Sequence, residues 1–261
     1  MERSVGQKLI GAFVVGGLIG VVAQALMMVM GMVLPVKDLA VPGMLVALGL
    51  IGMVLVLTGN YQKLNEIGGF GAGIMFCGLV DAVAGAFVGG SMEEGGNASG
   101  GYKAVAKFAL GMLGTLVLVG TLVGVLCAHM PGVLGAMEPP TDPGMIIFLY
   151  AFLMGGLISI IGEALLDFTP IPLPAVIMGN GLVGVLLAVL GHSTMLEGLT
   201  GGGFCATIVD AGAGAVLGGA TIVLAGTPMR TIILVAVMVA VVIMGIICGN
   251  ILLNRAKSHQ A

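Results

Sequence analysis

Val80-Asp81-Ala82-Val83-Ala84-Gly85-Ala86-Phe87-Val88-Gly89-Gly90 recurs as Val209-Asp210-Ala211-Gly212-Ala213-Gly214-Ala215-Val216-Leu217-Gly218-Gly219. Both strings read VDAxAGAxxGG, and biased composition does not match eleven positions by chance. A second pair lies upstream. Ala12-Phe13-x-x-Gly16-Gly17-Leu18-Ile19 returns as Ala151-Phe152-x-x-Gly155-Gly156-Leu157-Ile158, with Gln24 and Glu163 at matching places, each followed by Ala-Leu. The chain is a duplication, and its fold is the fold of one half used twice.

The solvent of that fold follows from composition. Of 261 residues, 59% are hydrophobic and 8% are charged. The mean hydropathy is +1.20. Soluble domains carry about 25% charged residues. A water-soluble fold could not hide this much apolar surface, whereas lipid solvates it. Nine Lys and Arg, scattered, make no nucleic-acid footprint. Cys77, Cys127, Cys205 and Cys248 sit singly in apolar runs, which gives no metal or redox motif and implies no cofactor.

About 20 apolar residues span a bilayer. Such runs lie near 9–33, 42–59, 103–128, 145–167, 173–191 and 229–253. The first is too long for a cleaved signal and reads as a retained helix. Two further segments, near 67–90 and 199–225, open on Gly68-Gly69-Phe70-Gly71 and Gly201-Gly202-Gly203 and carry one Asp each. Glycine at that density weakens a helix and permits breaks, here expected at Gly69, Gly71, Gly201, Gly202 and Gly203.

Lys and Arg set the topology, because cytoplasmic loops are rich in them. If the glycine-rich segments cross, the basic residues divide five to four. If those segments dip in and return, Arg3, Lys8, Lys63, Lys103, Lys107, Arg255 and Lys257 fall inside, with Lys37 and Arg230 outside. The loop Met130 to Gly144, without Lys or Arg, also falls outside. The expected fold is an all-α integral membrane protein of two inverted repeats. Each has three transmembrane helices plus one broken or re-entrant glycine-rich segment. Residues 1–128 form the first repeat, 129–144 an extracytoplasmic linker, 145–254 the second repeat and 255–261 a cytoplasmic tail. The expected location is a bacterial cytoplasmic membrane, multi-pass, with both termini cytoplasmic.

Acidic residues in membrane segments cost several kcal/mol unless paired or hydrated, so they mark function. Asp81 and Asp210, matched by the repeat, are expected to line a pathway. The competing reading has them accept backbone hydrogen bonds at the helix breaks. Glu163 replaces the neutral Gln24 and is a candidate proton or cation site. Asp167, one turn further on, reads as interfacial. Ser91 to Gly101 reads as a flexible polar loop. The glycine breaks are not nucleotide cradles, because no Lys-Ser/Thr follows them. No nucleophile–base pair is visible, so no enzyme is expected.

The unit AFxxGGLIxxxxQ/EAL followed by VDAxAGA resembles the stage V sporulation A membrane proteins, types C and E. These are single-unit proteins about half this length, so the chain resembles a fused tandem. The family is associated with moving dipicolinic acid, a small aromatic dicarboxylate, across the spore's inner membrane. The resemblance therefore implies a channel or transporter for a small anion, with Gln24, Glu163, Asp81 and Asp210 as matched residues and other membrane subunits as candidate partners. The alternative is a non-transporting subunit of a larger membrane complex.

Overall fold

The computed structural model describes residues 3–36, 39–129 and 144–258. The described chain is nearly all helical and runs through one element order twice. The first half is α1 (Val5–Val33), α2 (Ala40–Leu57), α3 (Asn60–Gly68), α4 (Phe70–Gly73), α5 (Phe76–Glu93), α6 (Ala98–Phe108) and α7 (Thr115–Cys127). A π-helical turn, Ala109–Gly114, joins α6 to α7, so Ala98–Cys127 crosses as one rod. The second half is α8 (Ile147–Phe168), α9 (Leu173–Val189), α10 (Ser193–Thr200), α11 (Gly202–Cys205), α12 (Ile208–Leu224) and α13 (Met229–Ser258). The expected linker, 129–144, lies almost wholly outside the described residues. The expected tail is in part helix, because α13 continues to Ser258.

Among the described residues six helical spans, α1, α2, α5, α6–α7, α8 and α13, are long and apolar enough to cross a membrane. α5 thus qualifies where the sequence expected a broken segment, and α9, expected at 173–191, does not qualify alone. A seventh span arises if α9 and α10, bent by 105° at their junction, are taken together. Outward faces confirm the solvent. Leu149, Leu153, Leu157, Ile161 and Leu165 form an exposed i, i+4 ladder on α8, and Leu118, Leu122 and Leu126 do the same beyond the π turn. Leucine ladders of this length face lipid, not water.

Helix contacts are made through small residues, as expected where lipid removes the hydrophobic drive between helices. α1 and α8 cross antiparallel. Gly17 faces Phe152, Gly156 faces Phe13, and Gly20 faces Ala151. The two phenylalanines meet edge to face with centroids 5.6 Å apart. At the end of this pair, Lys8 Nζ reaches Asp167 Oδ1 at 2.6 Å. Asp167, read as interfacial, is thus ion-paired.

The halves exchange their last helices. α7 lies on α12, with Gly120 against Ala215 and Gly124 against Ala220. α13 lies on α5, with Gly245 against Val83 and Gly249 against Phe87. α13 also runs parallel to α2: Gly49 faces Met244, Cys248 donates to Met53 O, and Arg255 donates to Leu57 O at 2.8 Å. Lys257 approaches the turn at Gly96. The end of α2, the end of α5 and the end of α13 therefore share one face of the bundle. The α1–α2 hairpin, where Gly43 packs on Met30 and Leu34, brings Arg3 and Lys8 to that same face. We call it the terminal face. Thr227 and Arg230 lie at the opposite face, where α12 turns into α13.

Ser91 to Gly101 is more ordered than a flexible loop. α5 continues to Glu93 and α6 starts at Ala98, with Asn97 Oδ1 accepting from Ser99 N as an N-cap. Gly95 and Gly96 take positive φ in the tight turn, and Lys103 pairs with Glu94 at 2.8 Å.

Candidate functional site

Each broken segment has the same anatomy. A short helix stops at a glycine with φ near +47° and ψ near −125°: Gly69 (47°, −126°) and Gly201 (46°, −124°). That region is open essentially to glycine alone. One further turn follows, then an extended residue, Met75 or Thr207, then the long helix α5 or α12. The two extended residues lie side by side. Phe76 N donates to Ala206 O at 3.0 Å and Ile208 N to Ile74 O at 3.3 Å. The two breaks thus satisfy each other's backbone groups in the middle of the molecule, where lipid could not.

The buried polar residues of the first and eighth helices complete these breaks. Glu163 Oε2 accepts from Phe70 N at 2.6 Å, and Gln24 Oε1 accepts from Gly202 N at 2.7 Å. Each reaches across to the other half. Backbone capping, considered in the sequence for the aspartates, is performed by Glu163 and Gln24. Gly71 and Gly203 let the breaks lie against the backbones of Ala12 and Ala151, where a Cβ would strike. Tyr61 Oη, fully buried, donates to Ala72 O at 2.8 Å and pins the first break.

The contacts fix a register that the motif does not. Gly69 and Gly201, Met75 and Thr207, and the glycine contacts on α5 and α12 all repeat at 132 residues. The VDAxAGA strings repeat at 129. Asp81 therefore occupies the place of Ala213, and Asp210 the place of Gly78, so the two aspartates are not structural equivalents. A shift of three residues is close to one helical turn, so both still face the same way. Both meet the residue at one equivalent position, Asn65 on α3 or Glu197 on α10. Asn65 Nδ2 donates to Asp81 Oδ2 at 2.8 Å. Glu197, Asp210 and Arg230 line one cavity, close enough for their charges to interact.

Asp210 opens on a cavity of about 740 Å³ at the face opposite the chain ends. Val41, Pro42 and Leu45 of α2, Thr221 of α12 and Arg230 and Ile233 of α13 form its walls, with Glu197 and Asp210. Asp210 is 9% exposed, and its Oδ1 has no hydrogen-bond partner. A smaller crevice of about 280 Å³ opens at the terminal face, lined by Arg3, Lys8, Asn65, Glu66, Ile67, Gly69 and Glu163. Arg3 reaches the carbonyls of Glu66 and Ile67 there. Asp81 bonds to Asn65 at its edge. Glu163 lines this crevice and Asp210 the larger cavity, whereas Asp81 lines neither and touches the crevice only through Asn65. Gln24 is buried at the second glycine break.

Asn65, Glu197 and Arg230 were not among the residues singled out in the sequence. They lie on short helices or at a helix start, where a polar residue is unremarkable. The only available signal was that Asn65 and Glu197 stand four residues before Gly69 and Gly201.

A multi-pass helical membrane protein with two glycine-broken segments is the class that fold and site define. Residues 8–130 match the SpoVAC/SpoVAEB sporulation membrane protein family. Comparison with curated proteins and with solved structures gave no match.

Proposed function

We propose that this protein carries a small anionic solute, dipicolinate or a similar dicarboxylate, across a bacterial cytoplasmic membrane between two inverted repeats. The observation that carries the reading is the pair of crevices. They open at opposite faces: the smaller reaches the glycine break at Gly69 with Asn65 and Glu163 on its wall, and the larger holds Glu197, Asp210 and Arg230. Broken helices meeting near mid-depth are the usual place of a transporter's binding site. The family match of residues 8–130 supports a sporulation role. Arg3, Lys8, Lys63, Lys103, Lys107, Arg255 and Lys257 gather toward the terminal face, which supports a cytoplasmic assignment of that face. The pathway residues are Asp81 and Asp210, reached from opposite sides. The reading is of a transporter or channel, not an enzyme.

The test is flux in proteoliposomes loaded with dipicolinate. The parent protein releases or takes up dipicolinate faster than empty liposomes. Asp81→Asn and Asp210→Asn each lower the rate while inserting normally. A parent rate equal to that of empty liposomes ends the transport reading and favours a non-transporting subunit. Mutant rates equal to the parent's leave both carboxylates structural.

A further inference from the structure

We infer that Arg230 is the carboxylate-binding residue of the larger cavity, and that the Glu197–Asp210 pair takes up one proton for each carboxylate that docks there. The inference rests on the transport reading for its ligand class and goes beyond it in naming the residue and the coupled ion.

Three observations converge. First, the cavity is walled mainly by apolar side chains, yet among the described residues it holds two acids and one base. Second, among the described residues Arg230 forms no hydrogen bond or ion pair, and it is exposed where it lines the cavity. Its five donors are available to a carboxylate fork. Third, Asp210 is nine-tenths buried and leaves Oδ1 unpartnered, so the pair has unused capacity.

The charge count gives the coupling. Two carboxylates offer only acceptors, so Glu197 and Asp210 can hydrogen-bond only when a proton lies between them. With one proton the pair carries one negative charge, which balances Arg230 across the cavity. A carboxylate approaching Arg230 then meets that negative charge as well. When the pair takes a second proton from solution, Arg230 is uncompensated, and one carboxylate restores neutrality. One proton and one anionic group therefore enter together, and no bond other than O–H is made or broken.

Among the described residues, few other titratable groups surround Asp210. α10 brings Glu197, α13 brings Arg230, and α11 brings the Cys205 thiol. α2 and α9 bring no charged or titratable residue, and α7 only Cys127 at its far end. The first half cannot do the same. Asn65 stands in place of Glu197 and holds Asp81 through an amide, and the crevice there is not lined by a counterpart of Arg230. The coupling belongs to one face of the molecule alone.

The experiment titrates dipicolinate into the purified full chain in nanodiscs, by calorimetry between about pH 6 and 8 in two buffers of different ionisation enthalpy. At those pH values both ligand carboxyls are ionised. The parent should bind more weakly as pH rises, by up to about tenfold per unit, with close to one proton taken up per anion. Arg230→Gln should weaken binding about ten- to a hundredfold, and Arg230→Lys less. Glu197→Gln should still bind but lose the proton uptake and the pH slope. An elution profile like the parent's checks folding. If Arg230→Gln fails that check, Arg230→Lys and the parent's proton count decide.

No binding by the parent, binding without proton uptake, or an Arg230→Gln affinity equal to the parent's overturns the inference. Dipicolinate flux that ignores Arg230→Gln also overturns it, and leaves transport standing. Binding that depends on Arg230 and the proton, without flux in liposomes, upholds it and ends the transport reading instead.

Discussion

Gln24 and Glu163 do one mechanical task with two chemistries. Each offers an oxygen to a backbone N–H that a glycine break has left without a helical partner. A glutamine oxygen suffices for this at Gly202, so it should suffice at Phe70. Glu163→Gln is expected to change stability by about 1 kcal/mol or less, since one charged acceptor becomes a neutral one. Glu163→Ala leaves Phe70 N buried and unpaired, at a cost of about 1–3 kcal/mol. Thermal unfolding in detergent separates the two, and a Glu163→Gln loss as large as that of Glu163→Ala would contradict the capping role. The proton-exchange role expected for Glu163 is a further question. It requires Glu163→Gln to flatten the pH profile of flux in proteoliposomes, and an unchanged profile would leave Glu163 as a cap. The glycines obey a different constraint. Gly69→Ala and Gly201→Ala put a Cβ into the Glu163 and Gln24 side chains, at a φ that side chains avoid. We expect each to cost about 1–3 kcal/mol from the backbone alone. A melting temperature unchanged by either would mean the break relaxes more easily than its hydrogen bonds imply. Both positions were legible in the sequence as glycines of a break. The aspartate register was not, because Gly and Ala strings match at several offsets, while the bridge between Met75 and Thr207 admits one.

At the scale of elements, hydropathy located the long helices to within a few residues, since lipid contact alone dictates their length and character. The glycine-rich segments were harder to place, because an 18-residue helix such as α5 is long enough to cross by itself. Its direction is set by partners that no local pattern reveals. α5 runs beside α13 and α2 toward the terminal face, and Lys257 touches the turn at Gly96. The segment α3–α4–α5 accordingly leaves and regains the same face. With the four native cysteines replaced by alanine, Gly95→Cys and Ser258→Cys should react with an impermeant maleimide from one side of the membrane. Thr227→Cys should react from the other. Labelling of Gly95→Cys and Thr227→Cys from the same side would remove the returning segments and, with them, the two opposed crevices.

The whole molecule is held together by what each half lends the other. The α4 break is capped from α8 and the α11 break from α1. The bridge at Met75 and Thr207 needs one residue from each half. Gly120 and Gly124 find their partners on α12, and Gly245 and Gly249 find theirs on α5. A single half on its own would keep its apolar helices in lipid but lose every one of these contacts. Two buried backbone donors, Phe70 N or Gly202 N and one bridge N–H, would then face hydrocarbon, where each costs several kcal/mol. Because the contacts are reciprocal, a second copy of the same half, turned over, could supply them. This places the family match to residues 8–130 in physical terms, for a unit of that length has the parts of a self-complementary antiparallel pair. The expectation is that residues 1–133 expressed alone purify from membranes as a dimer or larger species, not as a monomer. Co-expressed with residues 134–261 as a separate chain, they should instead copurify one to one and regain the melting temperature of the intact protein. Cross-linking between Gly17→Cys on one fragment and Phe152→Cys on the other would report the native crossing. A monomeric first half with the intact protein's melting temperature would show that the exchanged helices add nothing. The first half would then fold without the contacts that the second half supplies.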